Sequence, residues 1–395
     1  MFLVSSSAVV HEMQKCTNRM QGFFAPKPVA DLHVGQCCHP DDPDRWAVGG
    51  MAACAQLQLV AVSFVTTNKI GLFRLPRNLT GPNACFEYVG TLGGATDRLG
   101  LAFGFGAVRT VPYPPCASMA FAGSPASPFG RVLLVGDPGF LAVHVVDVLR
   151  KEHVGYVVPP GSSFCFPQGV AARDDMAAVS SWVTFHQGVH RVCLFQGSGP
   201  CWTLVRVLGA GLDAPEGHFS RPRGLRFSSD GKMVVVADTG SMSVKTYTVH
   251  DGAYVRRAQL DGDKNGSPMD VEEFGPGWLV ASIPIRRSST CLHYIVSGGK
   301  DDVQDVQDEV LVPMDTSARF PTSVAWCPGL GLLVMESRSR VSLFAPADEL
   351  AKARMSSARV AWMYGVARGV SFRSHAPCGP CGGPFGPSLP RKKRT

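Results

Sequence analysis

A self-similar unit, clearest between Gly217 and Val249, limits the possible folds of this chain more than any other feature. Three β-prone runs, Arg223 to Phe227, Met233 to Ala237 and Ser243 to Val249, are separated by Ser228 to Lys232 and by Asp238 to Gly240. Pro222 fixes φ and has no N–H to give a ladder, so it belongs at a strand entry. Gly224 lets the backbone pass close to its neighbours. Asp230-Gly231 between two such runs predicts a type I′ hairpin, which needs φ > 0 at both central positions. A fourth run, Ala253 to Gln259, follows Asp251-Gly252. Four antiparallel strands in about 40 residues make one blade of a radial all-β fold.

Weaker copies follow the same plan. Phe166-Pro167-Gln168-Gly169 and Phe320-Pro321-Thr322-Ser323 repeat the strand entry. Further three-strand groups start near Met51, Met119 and Met269, which brings the number of units to six. The ends of the third strands, at Phe73, Val145, Phe195, Tyr247, Tyr294 and Phe344, are spaced by 72, 50, 52, 47 and 50 residues. The long first interval places an insertion within 74–118. Part of it, Phe86 to Gly94, resembles Trp202 to Ala210, the outer strand that leads into the clearest copy. These units predict an all-β, six-bladed β-propeller, with a seventh blade as the alternative.

The Gly217–Val249 unit resembles an NHL repeat, which has a Phe-x-x-Pro-x-Gly entry, an Asp-Gly hairpin and a Val-Ala-Asp-Thr strand end. The resemblance is specific in that copy, recognisable at Phe166 and Phe320, and covers about residues 46–372. It departs after Gly240, where Ser241 to Val244 stand in place of an Asn-His-Arg-Ile run. NHL propellers imply partner binding, and RNA binding in some tripartite-motif proteins. No RING or B-box zinc pattern precedes the repeats, so ubiquitin-ligase activity does not carry over. Propellers of related build are also metal-dependent lactonases and histidine-metal amidating lyases.

Composition agrees with a fold of many short strands. Of 395 residues 45% are hydrophobic and 17% charged, with 43 Gly and 30 Pro. The net charge is +7, and Arg373, Arg391, Lys392, Lys393 and Arg394 supply five of those charges from the last 23 residues. Thirteen scattered cysteines predict buried free thiols in a reducing compartment, hence an intracellular protein, cytoplasmic or nuclear. The apolar stretch Val132 to Leu149 is broken by Asp137, Pro138, His144 and Asp147, so no membrane span is expected.

The reading divides the chain into an extended N-terminal arm (1–45), the propeller (46–372) and a disordered, basic, Pro/Gly-rich tail (373–395). In that reading Gly369 to Phe372 close the ring beside the first blade. The tail holds Cys378-Gly379-Pro380-Cys381, half of a zinc site at most, and Pro390 to Arg394, a basic run equally readable as a nuclear signal.

In such a propeller the loops that enter each first strand and those joining second to third strands share a face. On it fall Lys69, Phe140, Trp182, His186, Arg221, Arg223, Arg286, Arg287, Arg338 and Arg340, a cationic, aromatic-bearing set suited to a protein segment or a polyanion. Asp137, Asp238 and Glu336 end second strands. They would either ring the channel and hold a cation or cap their turns, with Ser63, Ser180 or Ser181, and Ser282 as equivalents; capping is the simpler reading. The expectation is a non-enzymatic scaffold, a monomeric propeller that needs no cofactor and presents a basic face to a protein partner. The alternatives are an RNA-binding propeller and a metal-dependent propeller hydrolase or lyase.

Overall fold

The computed structural model describes residues 30–33, 48–65, 67–76, 86–93, 103–105, 118–123, 132–160, 166–182, 190–209, 217–260, 266–274, 277–283, 292–296, 311–313, 321–328, 330–336 and 340–345. They form six four-stranded antiparallel sheets. Blade I is β2 (Val48–Cys54), β3 (Leu59–Phe64), β4 (Lys69–Arg74) and β5 (Glu87–Leu92). Blade II is β6 (Met119–Ala122), β7 (Val132–Asp137), β8 (Ala142–Asp147) and β9 (Glu152–Val158). Blade III is β10 (Pro167–Arg173), β11 (Met176–Ser181), β12 (Arg191–Ser198) and β13 (Cys201–Leu208). Blade IV, the clearest repeat, is β14 (Pro222–Phe227), β15 (Met233–Asp238), β16 (Ser243–Thr248) and β17 (Tyr254–Gln259). Blade V is β18 (Ser267–Phe274), β19 (Gly277–Ile283), β20 (Leu292–Val296) and β21 (Leu311–Pro313). Blade VI takes β22 (Pro321–Cys327), β23 (Gly331–Glu336) and β24 (Arg340–Phe344) from the end of the described chain. Its outer strand is β1 (Ala30–His33), which pairs antiparallel with β24 from Ala30↔Leu343 to His33↔Arg340.

The six-bladed propeller is therefore as expected, and its seam differs. The fourth strand of the last blade comes from within the span read as an arm, because an outer strand left unpaired would expose a row of backbone donors and acceptors. Residues 369–372, the expected closing strand, lie outside the described residues, as does the C-terminal tail. No helix among the described residues is long and apolar enough to cross a membrane.

One register holds through all six blades. Met51, Met119, Val170, Leu225, Val271 and Val324 of the first strands stand opposite Val62, Val135, Val179, Val236, Val280 and Val334 of the second. All six valines are fully buried. A β-branched side chain suits this position, since it is stiff at χ1 and fills the space between blades at little rotamer cost. First strands β2, β10, β14, β18 and β22 each carry a register shift at their start, and in four of them it begins at proline: Pro167, Pro222, Pro268 and Pro321. Proline is the paired residue at or next to each strand start, just before the bulge, where a missing N–H costs the ladder least. Pro268 is the regular entry to blade V, a position the sequence reading missed.

The glycine of the entry motif is a close-approach residue. A Cβ on Gly224 would stand 2.1 Å from Asp270 Oδ1, and one on Gly169 would stand 2.0 Å from the Arg223 carbonyl oxygen. The hairpin after β14 is not the expected type I′ turn. Only Gly231 is left-handed, at φ +74, while Asp230 Oδ1 accepts from the Lys232 N–H at 3.1 Å and from Ser228 Oγ at 2.6 Å. The side-chain cap replaces the second left-handed residue.

Of the cysteines described, Cys54, Cys193 and Cys327 are buried, Cys201 is exposed, and all four are free. Burial pushes the Cys193 thiol up to about 11 and the Cys327 thiol up to about 12, so both pack as neutral apolar groups.

Candidate channel site

One residue beyond the register just described, the six first strands carry Ala52, Ala120, Ala171, Arg226, Glu272 and Ala325. Of the four alanines, Ala52, Ala120 and Ala325 line an open space where the strands converge, and the two remaining positions, in adjacent blades, carry opposite charges. Arg226 Nε donates to Glu272 Oε2 at 2.8 Å. Its Nη1 donates to the Leu225 carbonyl at 3.0 Å, and its Nη2 donates to the Val324 carbonyl at 3.3 Å and lies 3.7 Å from Asp270 Oδ2. The guanidinium thus ties β14 to β18 and β22.

Asp270 is already engaged. Its Oδ2 accepts from Ser323 Oγ at 2.7 Å and from the Val324 N–H at 3.1 Å, while Oδ1 accepts from the Val271 N–H at 3.0 Å. Glu272 has more freedom: its side chain keeps 18% of its surface accessible, Arg226 keeps 17% and Asp270 only 7%. Burial pushes the Glu272 carboxyl up to about 7, with the Asp270 charge adding to the rise and Arg226 opposing it. Burial alone would lower Arg226, but the two carboxylates outweigh it and hold the guanidinium above its usual range.

A cavity of about 360 Å³ lies against this pair. Every first strand contributes to it, through Ala52 and Cys54, Ala120 and Phe121, Ala172 and Arg173, Arg226 and Phe227, Glu272, and Ala325 and Trp326. Gln56, Ser228, Ser229 and Pro328, in turns after first strands, also line it. The cavity therefore sits at the end of the channel opposite the face nominated from sequence.

The second-strand ends tell a different story. Register makes Phe64, Asp137, Ser181, Asp238, Ser282 and Glu336 equivalent, so Phe64 replaces Ser63, and of Ser180 and Ser181 it is Ser181 that holds the position. Opposite the six valines, the third strands carry Gly71, His144, Cys193, Lys245, His293 and Ser342. In four blades the two sets meet: His144 Nε2 lies 3.4 Å from Asp137 Oδ2, Lys245 Nζ 2.9 Å from Asp238 Oδ2, His293 Nε2 3.0 Å from Ser282 Oγ, and Ser342 Oγ 3.1 Å from Glu336 Oε1. In blade I the Phe64 ring covers Gly71, where a Cβ would come within 2.7 Å of it.

These groups cap and do not ring a channel. Asp137 accepts from the Gly104, Gly139 and Phe140 N–H groups at 2.6, 2.9 and 3.2 Å. Asp238 accepts from the Ser220 N–H at 2.7 Å and from Ser241 Oγ at 2.6 Å. Burial raises the Asp238 carboxyl, against the pull of Lys245 and Ser241.

Of the nominated binding face, Arg221 and Phe140 are exposed, and Lys69 and Arg340 are half-buried. Trp182 and Arg223 do not belong to a surface. Trp182 is 5% and Arg223 1% exposed, the indole Nε1 donates to the Pro222 carbonyl at 2.7 Å, and the guanidinium lies 4.9 Å from the indole centroid. The pair is a wedge between blades III and IV. His186, Arg286, Arg287 and Arg338 lie outside the described residues. Sequence reading missed Arg226, Asp270 and Glu272; the available signal was the alanine at the aligned position of the other four blades.

No group of three His, Cys, Asp or Glu side chains among the described residues is arranged to hold a metal ion. At the channel site the donor chemistry does not fit one either, since a guanidinium lies against both carboxylates and Asp270 is further saturated by N–H and O–H donors.

No family model matches the chain, and no curated protein matches it. Solved structures do. A gluconolactonase from Xanthomonas campestris aligns with a TM-score of 0.51 at 14% identity, over 77% of this chain and 88% of its own. The Dos1 propeller aligns at 0.42 and 11% identity over 75% and 68%. A Bacteroides uniformis protein provisionally assigned as a 6-phosphogluconolactonase aligns at 0.46 and 12% over 73% and 77%. The first of these supports the propeller fold. It also corrects the functional expectation: an enzyme is among the like-folded proteins, so the fold gives no ground for a non-enzymatic scaffold, and that reading is withdrawn.

Proposed function

We propose that this propeller is a hydrolase of small carboxylic esters or lactones, with Glu272 as general base and Arg226 as the electrostatic partner. The observation that carries the reading is a partly accessible carboxylate hydrogen-bonded to a guanidinium beside a cavity to which all six first strands contribute; burial pushes that carboxyl up to about 7. A base whose pKa lies near the operating pH is the effective one for proton transfer. The gluconolactonase fold is a precedent for such chemistry on this scaffold.

In this scheme the ionised Glu272 takes a proton from a water as its oxygen adds to the acyl carbon. Arg226, with five N–H groups and only part of them committed, faces the oxyanion that forms. Collapse breaks the acyl–oxygen bond, and Glu272 returns its proton to the leaving alkoxide. No metal enters any step. The NHL character of the Gly217–Val249 repeat belongs to the same proposal, supported by its Pro222 bulge and the close approach at Gly224.

The test is a panel of chromogenic esters and lactones assayed from pH 5 to 9. Turnover should rise with pH through about 7, persist in chelator, and fall by about 10²–10⁴-fold in Glu272→Gln. A panel without turnover, or turnover unchanged in Glu272→Gln, would overturn the proposal.

A further inference from the structure

The cavity wall is more polar than apolar, and its charges are unevenly matched. Among the described residues, the charged side chains that line it are Arg173, Arg226 and Glu272. Arg226 faces two carboxylates, Glu272 at 2.8 Å and Asp270 at 3.7 Å. Arg173 faces one, and weakly. Its Nε lies 3.6 Å from Asp174 Oδ2, on a side chain 71% exposed, and such a surface pair contributes about 0–1 kcal/mol. Asp230 and Glu273 stand nearby but outside the lining, committed to Ser228 and Lys232 and to Ser229 respectively.

Arg173 is also held in place. It ends β10, reaches across to blade IV and donates from Nη1 to the Ser228 carbonyl at 2.6 Å. A Cβ on Gly231 would stand 3.0 Å from its Nε, so the hairpin after β14 packs on the guanidinium. Its Nη2 has no partner among the described residues, and the side chain keeps 34% of its surface accessible. A guanidinium fixed through one nitrogen and open at another has little rotamer freedom left to lose when an anion binds. Ser228 follows Arg226 by two positions, so the anchor of Arg173 lies about 7 Å along the chain from the Arg226–Glu272 pair. We infer that the substrate is a carboxylic ester or lactone bearing a second carboxylate, which Arg173 binds while the scissile group lies against Glu272 and Arg226. A half-ester of a short dicarboxylic acid has this build.

This inference rests on the hydrolase reading for its chemistry, and its test is made on binding so that the two can fail separately. Succinate and butyrate, acids of equal chain length that differ by one carboxylate, are titrated into the full chain by calorimetry. The titration is run at pH 6, where the raised Glu272 carboxyl is protonated and does not repel an acid. Succinate should saturate at one site with at least about tenfold higher affinity than butyrate, a margin of about 1.4 kcal/mol. Arg173→Gln should bring succinate down to the affinity of butyrate and leave butyrate unchanged. Arg173→Lys, which keeps the charge without the planar fork, should retain part of the preference. Ala172→Asp, at a half-buried lining position next to Arg173, opposes its charge while leaving its bond to Ser228, and repeats the test should Arg173→Gln not fold. Equal affinity for the two acids, binding of neither, or an unchanged preference in a folded Arg173→Gln or Ala172→Asp chain would each overturn the inference. If succinate binds as described while neither its mono-4-nitrophenyl ester nor 4-nitrophenyl butyrate is turned over, the hydrolase reading falls and the ligand class stands. If the butyrate ester is turned over at least as fast as the succinate half-ester, the ligand class falls and the hydrolase reading stands.

Discussion

Asp137 and Asp238, at the second-strand ends, are more deeply buried than the channel pair, which unlike them borders the cavity between the first strands. Asp137 is surrounded by three backbone N–H donors, two in its own turn and one from Gly104, which it ties to that turn. Asp238 is similarly held, with Lys245 anchored by the His218 carbonyl and lying 5.8 Å from the Phe219 ring centroid. Glu272 instead borders an open volume and shares its cation with Asp270. Under the proposed function, depth of burial thus does not separate structural charge from reactive charge. Spare bonding capacity next to a cavity does.

The strongest way to break that contrast is Arg226→Met, which leaves two carboxylates in the channel without a countercharge. Stability measured by urea unfolding should fall by about 3–5 kcal/mol. The loss should be smaller at pH 5 than at pH 8, because the raised Glu272 carboxyl is then protonated and needs no partner. The sign can be checked on the wild type. A carboxyl raised from 4.5 to about 7 on folding binds more protons in the native state between those values, so its contribution to stability falls as pH rises through that window. Glu272→Gln should flatten that part of the curve.

Lys245→Met probes the closed layer. Asp238 keeps Ser220 and Ser241 as donors, so the expected loss is about 2–3 kcal/mol with hydrolysis of the ester panel unchanged. An equal loss of turnover would erase the distinction between the layers. Gly224→Ala tests the seam between blades IV and V. The added methyl meets Asp270, and a loss of about 1–3 kcal/mol is expected by thermal unfolding. The smallest effect belongs to the nominated face: Arg221 is exposed and left-handed at φ +62, so Arg221→Gly should be neutral or stabilise by up to about 1 kcal/mol.

The repeat, its strand order and its six units were legible because each rests on local chemistry: proline at the bulge, glycine at the close approach, β-branched residues between turns. The closing strand was not, since Ala30 to His33 are too short and too distant from β24 to show periodicity. Trp182 and Arg223 were read as surface groups because loop position predicts exposure, whereas both fold back between blades. Glu272 went unremarked for a related reason. Glu272-Glu273 reads as a solvated pair in a strand of ordinary polarity, and only alignment of the six registers shows Glu272 standing where four blades have alanine.

The pairing of β1 with β24 also has a temporal side. His33 meets Arg340, 307 positions further along the chain. During synthesis β1 emerges first and must wait for nearly the whole propeller before its partner exists, so closure is the last and most non-local event of folding. Because contacts of such large sequence separation form slowly, the nascent ring spends its longest interval open at this one edge.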